Sequence, residues 1–467
     1  MNAFGDATAL LRSHTATRTR YPSRRDIDPT PTDPTRDTAN TVKLLCIADI
    51  HLGRQPSRVP DAVVERHGIQ ALGPAGAWTR AIDYAIRAGV DAVLLAGDVV
   101  EQEDDFHEAY PDLRSGVERL AEAGIRVLAV TGNHDVKVLP RLAEAVSGFE
   151  LLGAGGHWQA EVLEGADGTR ARILGWSFPD KTVHTSPLAA ELPERDAMPT
   201  IGLLHCDRDQ MQSRYAPVRS AELQAAPVDA WLLGHIHRPD DLRGASPSGY
   251  LGSLTGVDPG EPGAHGPWLL EVAGDGRIGM EHVPLAPLRW TERDVAVDDL
   301  ETAADVHRLI TEAIEASHTD LAADSHRPEA VGLRLRFTGR TDLRAEIERS
   351  LDSDDPRAAV HERDGILYFV HAWQLDVSPA IDLEATAEGT DPVALLARRL
   401  LVLRGDDADQ RQTLIAEARE RMLAVPRQRP YNALGAEPPD DERIAATLEA
   451  AALRALDDLL AQQETRP

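Results

Sequence analysis

The chain has 467 residues, of which 42% are hydrophobic and 27% are charged, and its formal net charge is −28. This length predicts roughly two to four domains. The negative charge argues against non-specific binding of nucleic acid by the bulk surface, and no apolar run approaches the roughly 18–20 residues of a membrane span.

The first 40 residues are rich in Arg, Asp, Thr and Pro and have no apolar period. We expect them to form a disordered or loosely attached arm; an arm that contacts DNA through its arginines is the alternative. The N-terminus has no apolar core and no small-residue cleavage site, which predicts no secretory signal. Cys46 and Cys206 both lie in apolar runs, as expected of buried thiols in the reducing cytoplasm.

From Val42 onward, apolar runs of strand length alternate with helix-length amphipathic stretches. The runs are "VKLLCIAD", "DAVLLAGD", "RVLAVTGN", "TIGLLHC" and "AWLLGHIH", and the stretches include "AGAWTRAIDYAIRAG" and "YPDLRSGVERLAEAG". Continuous apolar strands between amphipathic helices predict an α/β domain with a buried sheet. Further strands with hairpin signals follow, and we place this domain at residues 41–287.

Two more blocks follow the α/β pattern. Residues 288–385 read as strand, helix, strand, helix and strand, which predicts a small α+β domain. Residues 386–467 are rich in Ala, Leu, Arg and Glu, and we expect a helical tail.

Polar residues able to bind a metal stand at the ends of the apolar runs: Asp49, His51, Asp98, Asn133, His134, His205, His235 and His237. The carboxyl ends of neighbouring strands meet at one edge of an open α/β sheet, so these side chains can converge there. Mixed His, Asp and Asn ligands suit Mn²⁺, Fe²⁺ or Zn²⁺. A single histidine at a strand end is more often structural, but five polar motifs in order, each at a strand end, favour a metal site.

A carboxylate such as Asp98 has two oxygens and can bridge two ions. Two ions about 3.5–4 Å apart can clamp a phosphate and activate water at neutral pH. His134 follows Asn133 directly and would point elsewhere in the site. A histidine there could protonate a leaving oxygen or stabilise developing charge.

The series "DIH … GD … GNHD … H … GHIH" resembles the calcineurin-like metallophosphoesterase superfamily. The resemblance implies a metallophosphoesterase β-sandwich flanked by helices, in four αββα layers, with a dinuclear centre for which we expect Mn²⁺, or else Fe²⁺ or Zn²⁺. It assigns His134 as the catalytic histidine. It implies that one ion is held by Asp49, His51, Asp98 and His237, and the other by Asp98, Asn133, His205 and His235.

"ADIHLG", "YAPV" and "LGHIHRP" are similar to DNA-repair exonucleases of the SbcD type, and to their YhaO-like branch in particular. This resemblance implies a DNA exonuclease, the nuclease subunit of a repair complex, that hydrolyses phosphodiester bonds with water activated by two metals. Residues 288–385 would be a DNA-capping domain. The tail would dock on a coiled-coil ATPase of the SbcC type. Whether the chain also forms a homodimer is left open by the sequence.

Some residues leave alternatives open. Glu101 in "GDVVEQEDD" stands where relatives carry Asp or His, and it would either position His134 or belong to a solvated acidic loop. Arg208 and Arg214 would either contact phosphates or lie in a surface loop. Two other functions remain: a metallophosphoesterase acting on a small molecule or phosphoprotein, and a subunit that mainly binds a partner.

Overall fold

The computed structural model describes residues 41–102, 104–322, 324–405, 407–424 and 440–464. The predicted N-terminal arm, residues 1–40, lies outside these described residues. Within them the chain folds into two packed sheets, a third sheet with its own helices, and a group of C-terminal helices.

The strands of the first two sheets are β1 (Thr41–Ile47), β2 (Ala92–Ala96), β3 (Arg126–Val130), β4 (Phe149–Leu151), β5 (Trp158–Glu164), β6 (Arg170–Trp176), β7 (Thr200–His205), β8 (Ala230–Gly234), β9 (Ser248–Tyr250), β10 (Trp268–Ala273) and β11 (Ile278–His282). The third sheet has β12 (Leu288–Ala296), β13 (Ala330–Arg340), β14 (Val360–Arg363) and β15 (Ile366–Ser378).

The helices are α1 (Asp61–His67), α2 (Ile69–Leu72), α3 (Pro74–Ala88), α4 (Phe106–Glu122), α5 (Leu139–Ala145), α6 (Ser220–Ala225), α7 (Val306–Leu321), α8 (Arg344–Ser353), α9 (Leu383–Ala387), α10 (Pro392–Arg404), α11 (Ala408–Ala424) and α12 (Asp441–Glu464). Three single-turn 3₁₀ segments lie at Pro187–Ala189, Ala303–Asp305 and Pro356–Ala358.

The first two sheets form a sandwich. Six strands run in the order β11-β10-β1-β2-β3-β4, and five run in the order β5-β6-β7-β8-β9. Their facing sides share one apolar cluster, in which Leu44 and Leu94 of the first sheet meet Leu203 and Leu232 of the second. The predicted β-sandwich flanked by helices is confirmed.

The continuous apolar runs become strands that are buried on both faces. In β1, Leu44 and Cys46 face the second sheet, whereas Leu45 and Ile47 face α3 and α4. The outer face of the second sheet is covered by the short helix α6 and by loops. This cover is thinner than a full layer of helices.

The parallel strands determine where polar residues collect. β1, β2 and β3 are parallel to one another, and so are β6, β7 and β8. All six strands therefore end at the same edge of the sandwich, which is the edge where sites form in such sheets.

The third sheet has the order β12-β13-β15-β14. One face packs on α7 and α8 through residues such as Leu333, Ile314 and Ile347. On the other face, Trp290 and Phe369 pack against α1 and α2 of the sandwich domain. This α+β unit therefore sits directly against the sandwich.

The last four helices pack mainly on one another, in two small apolar clusters. An ion pair between Arg340 of β13 and Asp457 of α12 ties them to the third sheet. In the part of the chain that the structure describes, none of the helices has the length and apolar character needed to cross a membrane.

Candidate metal centre

The eight predicted site residues lie at one edge of the sandwich. Each of them ends a strand or follows one, the strands being β1, β2, β3, β7 and β8. The structure brings the metal-binding atoms into three groups, and within each group they lie within 4.8 Å of one another. The first group is Asp49, His51 and His237, and the second is Asp98, His205 and His235. A third group overlaps the first and consists of His51, Glu101 and His134.

Several of these residues have an unusual backbone. Asp49, His51 and Asp98 have φ angles of 49°, 57° and 49°, and His235 has a φ of 104°. Left-handed conformations are uncommon outside glycine and cluster at functional sites. Hydrogen bonds stabilise these conformations. The amide of Asp49 donates to the carbonyl of Gly97 (3.2 Å), and the amide of His51 donates to the carbonyl of Asp98 (3.1 Å).

In the first group, the ring nitrogens Nε2 of His51 and His237 face each other at 3.1 Å. Two ligand atoms on a tetrahedral ion with bonds of about 2.1 Å lie about 3.4 Å apart, so this separation fits a shared ion. Asp49 is 1% exposed, and its carboxylate accepts from the amide of His235 at 3.1 Å.

In the second group, His205 is completely buried. Its Nδ1 donates to the carbonyl of Ala96 at 3.1 Å. Nε2 therefore faces Oδ1 of Asn133 at 3.1 Å and Oδ2 of Asp98 at 3.3 Å. The predicted ligand Asn133 joins this group, and Asp98 keeps its second oxygen for the amide of His134 at 3.0 Å.

The buried charges of the first two groups favour a bound cation. Burial raises the pKa of Asp49, although nearby histidines oppose the shift. Burial alone would lower the pKa of His205, but the carboxylates of Asp98 and Asp49 raise it to about 9. The carboxylates thus favour a proton on His205, whereas burial and the charge of His205 lower the pKa of His235 to about 4. Divalent ions would replace the charge of that proton.

A carboxylate lies behind three of the four histidine ligands. Glu101 Oε2 lies 2.8 Å from Nδ1 of His51, and Glu261 Oε1 lies 2.7 Å from Nδ1 of His237. Asp207 Oδ1 lies 3.3 Å from Nε2 of His235. Such partners fix the ring orientation and the tautomer of a ligand histidine.

Sequence reasoning missed Glu261 and Asp207. The available signal was weak: an acidic residue directly after "LLHC" and another in "GVDPGEPG". Glu101 contacts both histidines, because its carbonyl oxygen lies 2.7 Å from Nδ1 of His134 and its side chain contacts His51. That side chain is 20% exposed, which argues against a position in a solvated loop.

His134 is held by its backbone and by one ring nitrogen. Nδ1 lies 2.7 Å from the carbonyl oxygen of Glu101, so Nδ1–H donates to it. The ring meets His51 edge-on, with 5.2 Å between centroids. Nε2 is therefore the nitrogen left to face a substrate.

The glycines and the aspartate of these motifs have packing roles. A Cβ on Gly132 would lie 2.1 Å from Oδ1 of Asp98, so only glycine fits there. Asp135 is fully buried and accepts from the amides of Gly132 (2.8 Å) and Val99 (2.7 Å). Burial, with Asp98 adding to it, raises the pKa of Asp135 to about 7.

The arginines near the site differ in their partners. Arg208 pairs with Asp240 at 2.8 Å and covers the ring of Tyr250, so it is occupied. Arg214 is exposed and lies over Tyr215, whose ring lies 5.0 Å from that of His235. Arg54 lies on the other side, near Glu101.

Three solved structures are similar to part of this chain, and each is 12% identical to it. TT1561 of Thermus thermophilus covers 52% of this chain and 99% of its own, with a TM-score of 0.30. A dimetal phosphatase from Danio rerio covers 52% and 99%, with a TM-score of 0.32. A purple acid phosphatase from yellow lupin (Lupinus luteus) seeds covers 53% and 46%, with a TM-score of 0.29.

Comparison of sequences gives a closer relation. Residues 42–239 match the family described as calcineurin-like phosphoesterase, and residues 290–377 match the middle domain of metallophosphoesterase YhaO. The Bacillus subtilis (strain 168) protein named uncharacterized metallophosphoesterase YhaO is 26% identical over 335 residues, which are 67% of this chain and 75% of that protein. The two matched segments coincide with most of the sandwich and with the third sheet.

Proposed function

Since residues 42–239 form a calcineurin-like metallophosphoesterase domain and residues 290–377 a YhaO-like middle domain, we propose that this protein is a metal-dependent DNA exonuclease. It would be the nuclease subunit of a DNA-repair complex. The observation that carries the proposal is the convergence of two ligand groups next to Asp98, with the free nitrogen of His134 beside them.

The residues fit two divalent ions. Asp49, His51 and His237 would hold one, Asn133, His205 and His235 the other, and Asp98 would bridge them. We propose Mn²⁺ in the cell, with Fe²⁺ or Zn²⁺ as alternatives that suit the same ligands. When bound, such a pair supplies positive charge for the phosphate oxygens and a water nucleophile at neutral pH.

His134 would handle the proton of the leaving oxygen. Its Nδ1–H is committed to the carbonyl of Glu101, so a protonated ring presents Nε2–H to the substrate. The amide of His134 donates to Asp98, which keeps the ring in place relative to the metal ligands. This arrangement suits general-acid catalysis.

Two arginines support a substrate with several phosphates. Arg54 and Arg214 flank the centre on opposite sides, near Glu101 and near the Tyr215–His235 ring pair. Within the described residues neither guanidinium has an ion-pair partner. Guanidinium groups without a carboxylate partner bind phosphates well, so these two would contact a nucleic-acid backbone beside the scissile bond.

The helical tail is the proposed docking site for a coiled-coil ATPase of the SbcC type. A cavity of about 230 Å³ between α10, α11 and α12 is lined by leucines such as Leu396, Leu414 and Leu448, with Arg399 and Arg421 beside them. An apolar helix face would fit there. Such a partner could supply DNA affinity that the acidic surface lacks. A homodimer is compatible with this arrangement.

A cytoplasmic location is part of the proposal. Cys46 and Cys206 are both buried free thiols, and burial raises the pKa of each. Buried reduced thiols suit a reducing compartment.

A second candidate is a metallophosphoesterase that acts on a phosphoester other than DNA. It is favoured by the net charge of −28. It is also favoured by the third sheet, where Arg336 and Arg334 pair with Asp294 and Glu292 and are therefore not available to bind phosphates. The third candidate, a subunit that mainly binds a partner, would not need the full ligand set.

One assay separates these functions. The purified chain, loaded with Mn²⁺, is given defined single- and double-stranded DNA, a cyclic nucleotide and a phosphopeptide, with and without the ATPase. The nuclease proposal expects DNA degradation that stops on chelation and returns with Mn²⁺. Turnover of the cyclic nucleotide or phosphopeptide alone would favour the second candidate, and no turnover with both ions bound would favour the third.

A further inference from the structure

The loop of residues 256–263, "GVDPGEPG", joins a metal ligand to the middle domain; we call it the Glu261 loop. Glu261 Oε1 accepts from Nδ1 of His237 at 2.7 Å, and Oε2 accepts from the amide of Val257 at 3.1 Å. The side chain is only 16% exposed. Both oxygens of this carboxylate are thus committed, one to the loop and one to the metal ligand.

The same loop is fastened to the first strand of the middle domain. The indole N–H of Trp290 donates to the carbonyl of Gly256 at 2.9 Å. The amide of Gly263 donates to the carbonyl of Trp290 at 2.9 Å. Trp290 is 1% exposed and packs edge-on against Phe369. Two hydrogen bonds from one buried residue therefore hold the loop near both of its ends.

The contact with Glu261 determines what His237 can do. A carboxylate on Nδ1 holds the proton there and leaves the lone pair of Nε2 free for a metal. In this orientation Nε2 of His237 faces Nε2 of His51 at 3.1 Å. If the loop moved away, the ring would lose the carboxylate partner on Nδ1 and would be free to rotate out of the ligand group.

We propose that Glu261 is a positioning residue for His237 and that Trp290 holds its loop, so that the seating of the middle domain sets the metal affinity of one subsite. That subsite is the group of Asp49, His51 and His237. The inference rests on the two-metal centre of the proposed function but is independent of DNA as the substrate.

The first test measures metal binding by the full chain. After chelation and dialysis, the wild type and E261Q are titrated with Mn²⁺, and separately with Zn²⁺, by calorimetry. E261Q should lower the affinity of one of the two sites by about 10–100-fold and leave the other unchanged, as for other partners of ligand histidines. The control is E271Q, which removes the same charge from β10, where Glu271 pairs with Lys43.

A double substitution separates positioning from a general structural role. H237A should lose one ion, and E261Q added to H237A should cause no further change in affinity or in the thermal midpoint of the metal-free protein. If the double variant loses more than H237A, Glu261 acts on the fold and the inference is wrong. If E261Q binds both ions as the wild type does, the inference is also wrong.

The role of Trp290 is tested by W290F, which removes the indole donor and keeps an aromatic ring in the core. We expect about a two- to tenfold loss of affinity at the same subsite, the effect of one hydrogen bond. W373F is the control, because Trp373 packs on the helix-covered face of the same sheet. Equal affinities for W290F and the wild type would overturn the link to the middle domain.

These outcomes differ from those that would overturn the nuclease. Suppose that the wild type binds two ions and degrades no DNA, and that E261Q weakens one of the two sites. The inference would then stand, and the nuclease proposal would be wrong. A wild type that binds neither Mn²⁺ nor Zn²⁺ overturns the metal centre and the inference with it.

Discussion

Nε2 of His51 and Nε2 of His237 lie 3.1 Å apart, although 186 residues separate the two histidines in the chain. A carboxylate lies behind each ring, Glu101 behind His51 and Glu261 behind His237. Both rings therefore turn an Nε2 lone pair toward the same point. A cation at that point satisfies both nitrogens, which makes metal binding the first property to measure.

The two ligand groups predict different losses of metal on substitution. Wild-type protein dialysed against Mn²⁺ should retain two ions, and H237A should retain one. D98N should weaken the binding of both ions, since Asp98 bridges them in the proposed centre. Elemental analysis after gel filtration measures the ratio. A D98N protein that keeps both ions at wild-type affinity would contradict the bridging role.

His134→Ala should reduce the rate of phosphoester hydrolysis by about 10²–10⁴-fold, the usual contribution of a general acid or base. Both ions should stay bound, because the two proposed ligand sets do not include His134. Single-turnover rates with saturating Mn²⁺ measure the effect. The matched control is His157→Ala, at an exposed position, and an equal rate for the two variants would refute the catalytic assignment.

Arg54→Ala and Arg214→Ala should each weaken DNA binding and lower the salt dependence. Removing one phosphate contact lowers the slope of log affinity against log salt by about 1. Binding of a fluorescent oligonucleotide at several salt concentrations measures the slope. Arg277→Ala is the control, because Arg277 is held by Asp275 in a turn. Unchanged slopes in both variants would argue for a substrate with a single phosphate.

The half-buried His282 predicts acid sensitivity of the fold. Burial lowers the pKa of His282 from 6.5 to about 4, with His265 and Arg289 adding to the shift and Asp324 opposing it. The unfolded chain takes up a proton near pH 6.5 and the folded chain does not. Stability present above pH 6.5 is therefore lost as the pH falls toward 4.

His282→Gln should show a shallower loss of unfolding free energy between pH 6.5 and pH 4.5 than the wild type. Urea unfolding of the chelated protein measures this without interference from metal release. His157→Gln serves as the exposed comparison. A variant with the same pH slope as the wild type would show that another group controls acid unfolding.

Deletion of residues 391–467 should abolish co-purification with an ATPase of the SbcC type. The metal centre should survive, because α10, α11 and α12 pack in their own apolar clusters. Loss of the Arg340–Asp457 ion pair should lower the thermal midpoint moderately, because the pair is half-buried and has two hydrogen bonds, unlike the exposed pairs that contribute about 0–1 kcal/mol. A truncated chain that still binds the ATPase would contradict docking on the tail.

Much of the sandwich could be predicted because its signals are local. Apolar runs such as "AVLLA" are buried on both faces, and the amphipathic stretch of α3 ends at a left-handed Gly89. The strands β4, β5 and β14 were not predicted. Their hydrogen-bonding partners, not their own composition, make them strands.

The same division between local signals and tertiary contacts holds within the site. The amino-acid sequence by itself determined which residue types stand at the strand ends, because strand length and polar termination are properties of adjacent residues. Only the tertiary structure decided that Glu261 lies behind His237 and that the side chain of Glu101 contacts His51. Those contacts join loops from distant parts of the chain. The paths of these loops depend on tertiary packing, and one of them also depends on hydrogen bonds to a tryptophan of another domain.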